Sequence, residues 1–165
     1  MPHPLLDVQR IDLLPAEYLA AAGDVFSVFD SRTQDSGNVS YGVEIHGQRF
    51  FVKTAGATDD PSPLLAHRQR VELLRNGVRL WQGCSHPAMP RLHRIIKTPV
   101  GPMVVWQWVE GELLRCPAEV RNDPACSFQR FRHLPTDRIL DVLDVIFELH
   151  DSLARQDWIA VDFYD

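Results

Sequence analysis

Lysine is nearly absent from this 165-residue chain: two lysines stand against fifteen arginines. The formal net charge is −5 and no basic stripe interleaves with aromatics, so nucleic acid is not an expected partner. Arg68, Arg70, Arg75 and Arg79 cluster in sequence, a pattern read as the solvated face of a helix. Cysteine is scarce as well. Cys84, Cys116 and Cys126 are odd in number and lack C-x-x-C spacing, which points to neither a zinc site nor a disulfide framework. No apolar run approaches the roughly 20 residues of a membrane-spanning helix. Met1-Pro2-His3-Pro4 also lacks the basic-then-apolar order of an export signal. These absences make a soluble, cytoplasmic protein the expectation, with no membrane partner and no metal ligands assigned.

What is present is a chain of 45% apolar composition, enough to bury one core. Residues 1–24 read as an N-terminal extension carrying a short helix over 15–22, with Pro15 in its first turn. Val25 to Phe29 is strand-like, and the Asp-, Ser-, Asn- and Gly-rich stretch 30–38 is a loop. Tyr41 to Ile45 and Gln48 to Thr54 pair as a hairpin across His46-Gly47. After a polar linker, Leu65, Val71, Leu74, Val78 and Trp81 recur at helical spacing and predict a helix over 63–82. Leu92 to Lys97 and Met103 to Val109 form a second hairpin around Pro99-Val100-Gly101-Pro102. The stretch 115–135 reads as linker with a short helix. The last predicted helix, 136–155, sets Asp141, Asp144, Glu148 and Asp151 in one narrow acidic stripe and is apolar almost everywhere else. So wide an apolar arc belongs inside a core. The ten residues that follow, with the strand-like Trp158-Ile159-Ala160-Val161, are too few to cover it. A protein partner or self-association is therefore expected over residues 137–153.

The order strand, Gly-bearing loop, strand, Lys-bearing strand, helix, hairpin, linker, apolar helix resembles the protein-kinase-like fold of bacterial serine/threonine kinases and aminoglycoside phosphotransferases. The likeness spans 25–165 and covers the N-lobe and the start of the C-lobe. It implies an α+β fold: an antiparallel N-lobe sheet with one long packed helix over 25–109, a hinge and linker over 110–136, and an incomplete C-lobe start over 137–165. Lys53, ending Phe50-Phe51-Val52-Lys53, matches the V-A-I-K lysine that neutralises ATP phosphates. Phe51 stands where that motif has a small Ala, which narrows the adenine slot.

Glu72, the acid between Pro61 and Val109, matches the helix glutamate that pairs with this lysine, although His86-Pro87 follows it about one turn later than the family spacing. Asn76 is an alternative for that position, and an i±4 pairing of Glu72 with a neighbouring arginine is the simpler alternative. Gly37, Asn38, Val39, Ser40 and Gly42 resemble the phosphate-covering loop without its full glycine pattern, and Val43 would lie over the adenine ring. The run from Val104 to Leu114, ending in an E-G-x-L-like Glu110-Gly111-Glu112-Leu113, resembles the hinge. That match implies a Gln107 carbonyl and a Val109 N–H facing adenine, with Trp106 as gatekeeper. Leu149-His150 resembles the end of the long C-lobe helix. Asp162, in Ala160-Val161-Asp162, falls at the catalytic-base position, with Asp165 in the same loop.

The resemblance thus implies a nucleotide partner, ATP, with Mg²⁺ only if the metal-binding part of a C-lobe is supplied, because the sequence ends at Asp165 before such motifs. Three readings stay open. The chain is the ATP-binding half of a serine/threonine-type kinase, with independent transferase activity not expected. It is a non-catalytic, pseudokinase-like interaction module. Or the order is coincidental, in a small α+β protein of unrelated role.

Overall fold

The computed structural model describes residues 2–31, 36–60, 63–112, 114 and 116–160. Five strands form one antiparallel sheet: β1 (Asp24–Phe29), β2 (Val39–Ile45), β3 (Gln48–Thr54), β4 (Leu92–Thr98) and β5 (Gly101–Gln107), in the order β1-β2-β3-β5-β4. Among the described residues four α-helices accompany it: α1 (Pro15–Ala22), α2 (His67–Gly83), α3 (Ser127–Arg132) and α4 (Thr136–Ala154), with a 3₁₀ turn at Ala118–Val120. The chain divides into two compact units. The first is Met1–Gly83 with Met89–Val109, and the second is Cys84–Ala88 with Glu110–Asp165.

In the first unit, alternation along each strand divides the side chains between two faces. Phe50 and Val52 of β3 lie with Val43 and Ile45 of β2, Met103 and Val105 of β5 and Ile96 of β4 in the main buried cluster. Leu5, Ile11 and Leu19 complete that cluster. Through Leu5, Ile11 and Leu19 the described residues 2–24 cover one sheet face. Backbone bonds between Ile11 N–H and the Lys97 carbonyl, 2.9 Å, and between Lys97 N–H and the Gln9 carbonyl, 2.9 Å, fasten the segment to the sheet edge. Leu74 and Val78 of α2 pack with Val104, and with the partly buried Leu92, Ile95 and Trp106, on the opposite face. Covered on both sides, β3 and β5 read as the continuous apolar runs Phe50-Phe51-Val52 and Met103-Val104-Val105.

The β2–β3 hairpin turns on His46 (φ 53°) and Gly47 (φ 76°), the positive pair a two-residue hairpin turn needs. Helix α2 begins at His67, four residues later than the sequence pattern predicts. Its start is set by Gln69, whose Oε1 accepts the Ala66 N–H at 3.0 Å while the Ala66 carbonyl accepts the Arg70 N–H at 3.1 Å. This is the reciprocal half of a capping box. Strand β5 ends at Gln107, two residues short of expectation. Gln107 is the last residue with ladder partners, its N–H meeting the Arg91 carbonyl at 2.8 Å.

Arg70 breaks the expectation of a solvated arginine face. It is 2% exposed. Its Nη1 donates to the Gly37 carbonyl and its Nη2 to the Ala57 carbonyl, the latter at 2.8 Å. Gly37 has φ 74°, and a Cβ there would fall 2.2 Å from Pro63 Cγ and 2.7 Å from Arg70 Nη1, so only glycine fits beneath the guanidinium. One planar fork thus joins α2 to the loop before β2 and to the linker after β3. Arg70→Ala leaves two inward carbonyls without their donors. We expect it to lower the urea-unfolding free energy by roughly 2–4 kcal/mol, with Arg70→Lys recovering less than half, because an ammonium lacks the fork.

Candidate functional site

Lys53 sits at the end of the central strand β3, half-buried, directly opposite Ser40 of β2 and Val104 of β5. Opposed residues of adjacent strands share a face. Lys53 therefore lies on the face that α2 covers through Val104, together with Phe51, which is opposite Gly42 and Trp106. Ser40 beside it is 2% exposed.

Glu72 is placed by the phase of α2. The buried residues of this helix are Arg70, Val71, Leu74 and Val78. At about 100° per residue, Glu72 lies roughly 145° round the helix from the centre of that stripe. Its carboxylate forms an i,i+4 ion pair with Arg68 at 3.5 Å, with side-chain exposures of 57% for Glu72 and 90% for Arg68. The carboxylate assigned to Lys53 by resemblance is thus committed to a surface arginine. Asn76, the alternative, is also on the outward arc and accepts from Arg79 Nη1 at 3.0 Å.

The glycine segment differs from an open phosphate cradle. Gly37 is buried beneath Arg70, and Asn38 N–H points to Ser36 Oγ at 3.3 Å. Val39 and Ser40 already belong to the ladder of β2, paired with Thr54 and Lys53. Residues 32–35 lie outside the described residues. Val43, expected over the adenine ring, is fully buried in the cluster on the other face, with Phe50 and Leu19. Strand parity explains the correction: Lys53 shares its face with Ser40 and Gly42, so Val43 must point the opposite way.

Above Gly42 the surface is aromatic. A Cβ there would fall 2.6 Å from Phe26 and 3.0 Å from Trp108. Phe26 and Trp108 meet edge to face at 4.8 Å between centroids, Phe51 stands 6.5 Å from Trp108, and Phe29 stands 6.1 Å from Phe51. The Trp108 indole N–H is buried without a hydrogen-bond partner among the described residues. Trp106, the gatekeeper by resemblance, packs edge to face on Trp81 of α2 at 4.9 Å, and Trp81 Nε1 donates to the Pro90 carbonyl at 2.8 Å. Gln107 turns its side chain to β4's flank, where its Oε1 accepts the Arg91 N–H at 3.3 Å. Val109, beyond the strand, is 59% exposed.

In the second unit, Leu149 and His150 fall within α4, where His150 Nδ1 is 3.1 Å from the Ile146 carbonyl. Trp158 to Ala160 form no strand, and Ile159 is exposed. Asp162, proposed as the base, and Asp165 lie outside the described residues. Among the described residues no group of His, Cys, Asp and Glu is arranged to hold a metal, and no helix is long and apolar enough to cross a membrane. Leu153 of α4 is buried, but Leu140, Val142, Leu143, Val145 and Phe147 are exposed, Phe147 by 68%.

Sequence reasoning missed two residues. Arg70 was legible as a core position, since 70, 74 and 78 recur at helical spacing. Trp108 was hidden because its role depends on the approach of Phe26 from β1. A scan against protein-family models finds no match to this chain, and a search of curated proteins finds none either. Glu72→Ala is expected to cost under about 0.5 kcal/mol of stability, as exposed i,i+4 pairs do. Val43→Ala is expected to cost roughly 1–3 kcal/mol as a core truncation; urea titration of both variants measures the contrast.

Proposed function

We propose that this chain is the ATP-binding half of a serine/threonine-type, kinase-like phosphotransferase, working in the cytoplasm. One observation carries the reading. The half-buried Lys53 lies at the end of the central strand, on the sheet face against which the helix between β3 and β4 packs. A compact ammonium so placed serves to neutralise phosphate oxygens, the task of the third-strand lysine in this fold. The aromatic surface of the exposed Phe26 and the half-buried Phe51 and Trp108 adjoins that lysine's face, and a purine stacks on such a surface. The Trp108 indole N–H, buried without a partner among the described residues, meets a ligand's acceptor only if the rings around it part.

The departures shape the proposal. With Glu72 tied to Arg68, that carboxylate does not align Lys53. With aromatics over Gly42, a base enters a narrowed slot. Both argue for modest nucleotide affinity and against phosphoryl transfer by this chain alone, with Mg²⁺ joining only where further carboxylate and amide ligands are supplied. A nucleotide-binding titration with and without Mg²⁺ tests the reading. ATP binding should weaken at least about tenfold, or 1.4 kcal/mol, in Lys53→Ala, while Glu72→Ala changes it less than about twofold. Equal affinities of wild type and Lys53→Ala would remove the proposal.

A second reading, a non-catalytic protein-docking module, is favoured by α4. Its apolar residues Leu140, Leu143 and Phe147 recur at i, i+3 and i+7 and are all exposed. Light scattering across a concentration series measures self-association. We expect a wild-type dimer that Phe147→Asp dissociates; a monomer at every concentration would leave only a different protein as the partner.

A further inference from the structure

We propose that Cys116 and Cys126 are a reversible dithiol–disulfide pair, oxidised by exchange with a low-molecular-weight disulfide of the glutathione class. Nine residues lie between them in sequence, yet the turn through Ala118–Val120 brings Cys116 beside Ser127, the neighbour of Cys126. Cys116 Sγ lies 3.5 Å from Ser127 Oγ, and the Cys126 thiol is among the groups that draw the Cys116 pKa down. Cys126 Sγ lies 3.7 Å from the Arg121 carbonyl. Gln129, buried, donates through Nε2 to that carbonyl at 2.7 Å and fixes the turn itself. Both thiols are half-buried, so a small disulfide reaches them. The third thiol, Cys84, is buried 3.7 Å from Ser152 Oγ.

The surroundings also favour a thiolate. The Phe128 backbone N–H, the Ser127 hydroxyl and the Cys126 thiol all draw the Cys116 pKa below the ordinary thiol value. Thiolate is the form that attacks a disulfide. The step balances as follows. Cys116 thiolate attacks one sulfur of the small disulfide, forming a mixed disulfide and releasing one small thiolate. Cys126, giving up its proton to solvent, then attacks the Cys116 sulfur, forming the internal S–S bond and releasing the second small thiolate. Two protein thiols are oxidised and one small disulfide is reduced to two thiols. The bridge staples the 3₁₀ turn to the first residues of α3 and does not depend on nucleotide binding.

The full-length chain, incubated with oxidised glutathione and alkylated under denaturing conditions, tests the pair by intact mass and peptide mapping. Expected is a loss of about two hydrogens, one alkylated cysteine, and a mapped Cys116–Cys126 link that a reductant reverses. Cys84→Ser should keep the link, and Cys116→Ser and Cys126→Ser should each abolish it. A link involving Cys84, covalent dimers in place of the internal bridge, a glutathione adduct persisting on Cys116 while Cys126 stays alkylatable, or three alkylated cysteines after oxidation would each overturn the proposal.

Discussion

The buried guanidinium of Arg70 fixes the arrangement on which the rest of the first unit depends. Its two donors reach the Gly37 and Ala57 carbonyls, one on each side of the β2–β3 hairpin, so helix α2 can dock on the sheet in one rotational setting. That setting turns Leu74 and Val78 onto Val104. It also turns Glu72 outward to Arg68. The guanidinium is 2% exposed, with Nη1 and Nη2 hydrogen-bonded and Nε buried without a partner among the described residues, and removing either carbonyl contact would cost several kcal/mol. The helix phase is therefore a constraint rather than a preference. It decides which side chains can reach Lys53.

The two faces of the sheet follow from strand parity. Once Phe50 and Val52 point to the cluster with Leu5 and Leu19, Phe51 and Lys53 must point the other way. The N-terminal segment closes one face, and α2 with the aromatic group of Phe26, Phe51 and Trp108 occupies the other. Lys53 thus stands at a boundary between a helix-covered region and an aromatic one, the setting that makes it a candidate for anion binding.

Much of this was legible in the sequence. The helix 15–22, the β2–β3 hairpin, the long helix after it and the last helix were all predicted within a few residues, because strong apolar periodicity and the His46-Gly47 turn mark them locally. The site was less legible. Val43 was expected over a base and is core, since a motif match does not resolve strand parity. For Glu72 the sequence leaves two pairings open, with Lys53 or with a neighbouring arginine, and helix rotation, set at long range by a loop carbonyl 33 residues before Arg70, leaves it with Arg68. Arg70 itself was counted with its exposed neighbours, because charge in a sequence signals surface unless its spacing against Leu74 and Val78 is weighed. The apolar arc of α4 was legible from its periodicity, and Leu140, Leu143 and Phe147 on it are exposed.

The scarcity of lysine supplies the most direct test. With lysine selectively labelled, the chain gives two side-chain ammonium-end signals, from Lys53 and Lys97. Titration with ATP should move the Lys53 signal and leave that of Lys97, on β4, in place. Shifts of neither signal at saturating nucleotide, or of Lys97 alone, would contradict a phosphate site at the end of β3.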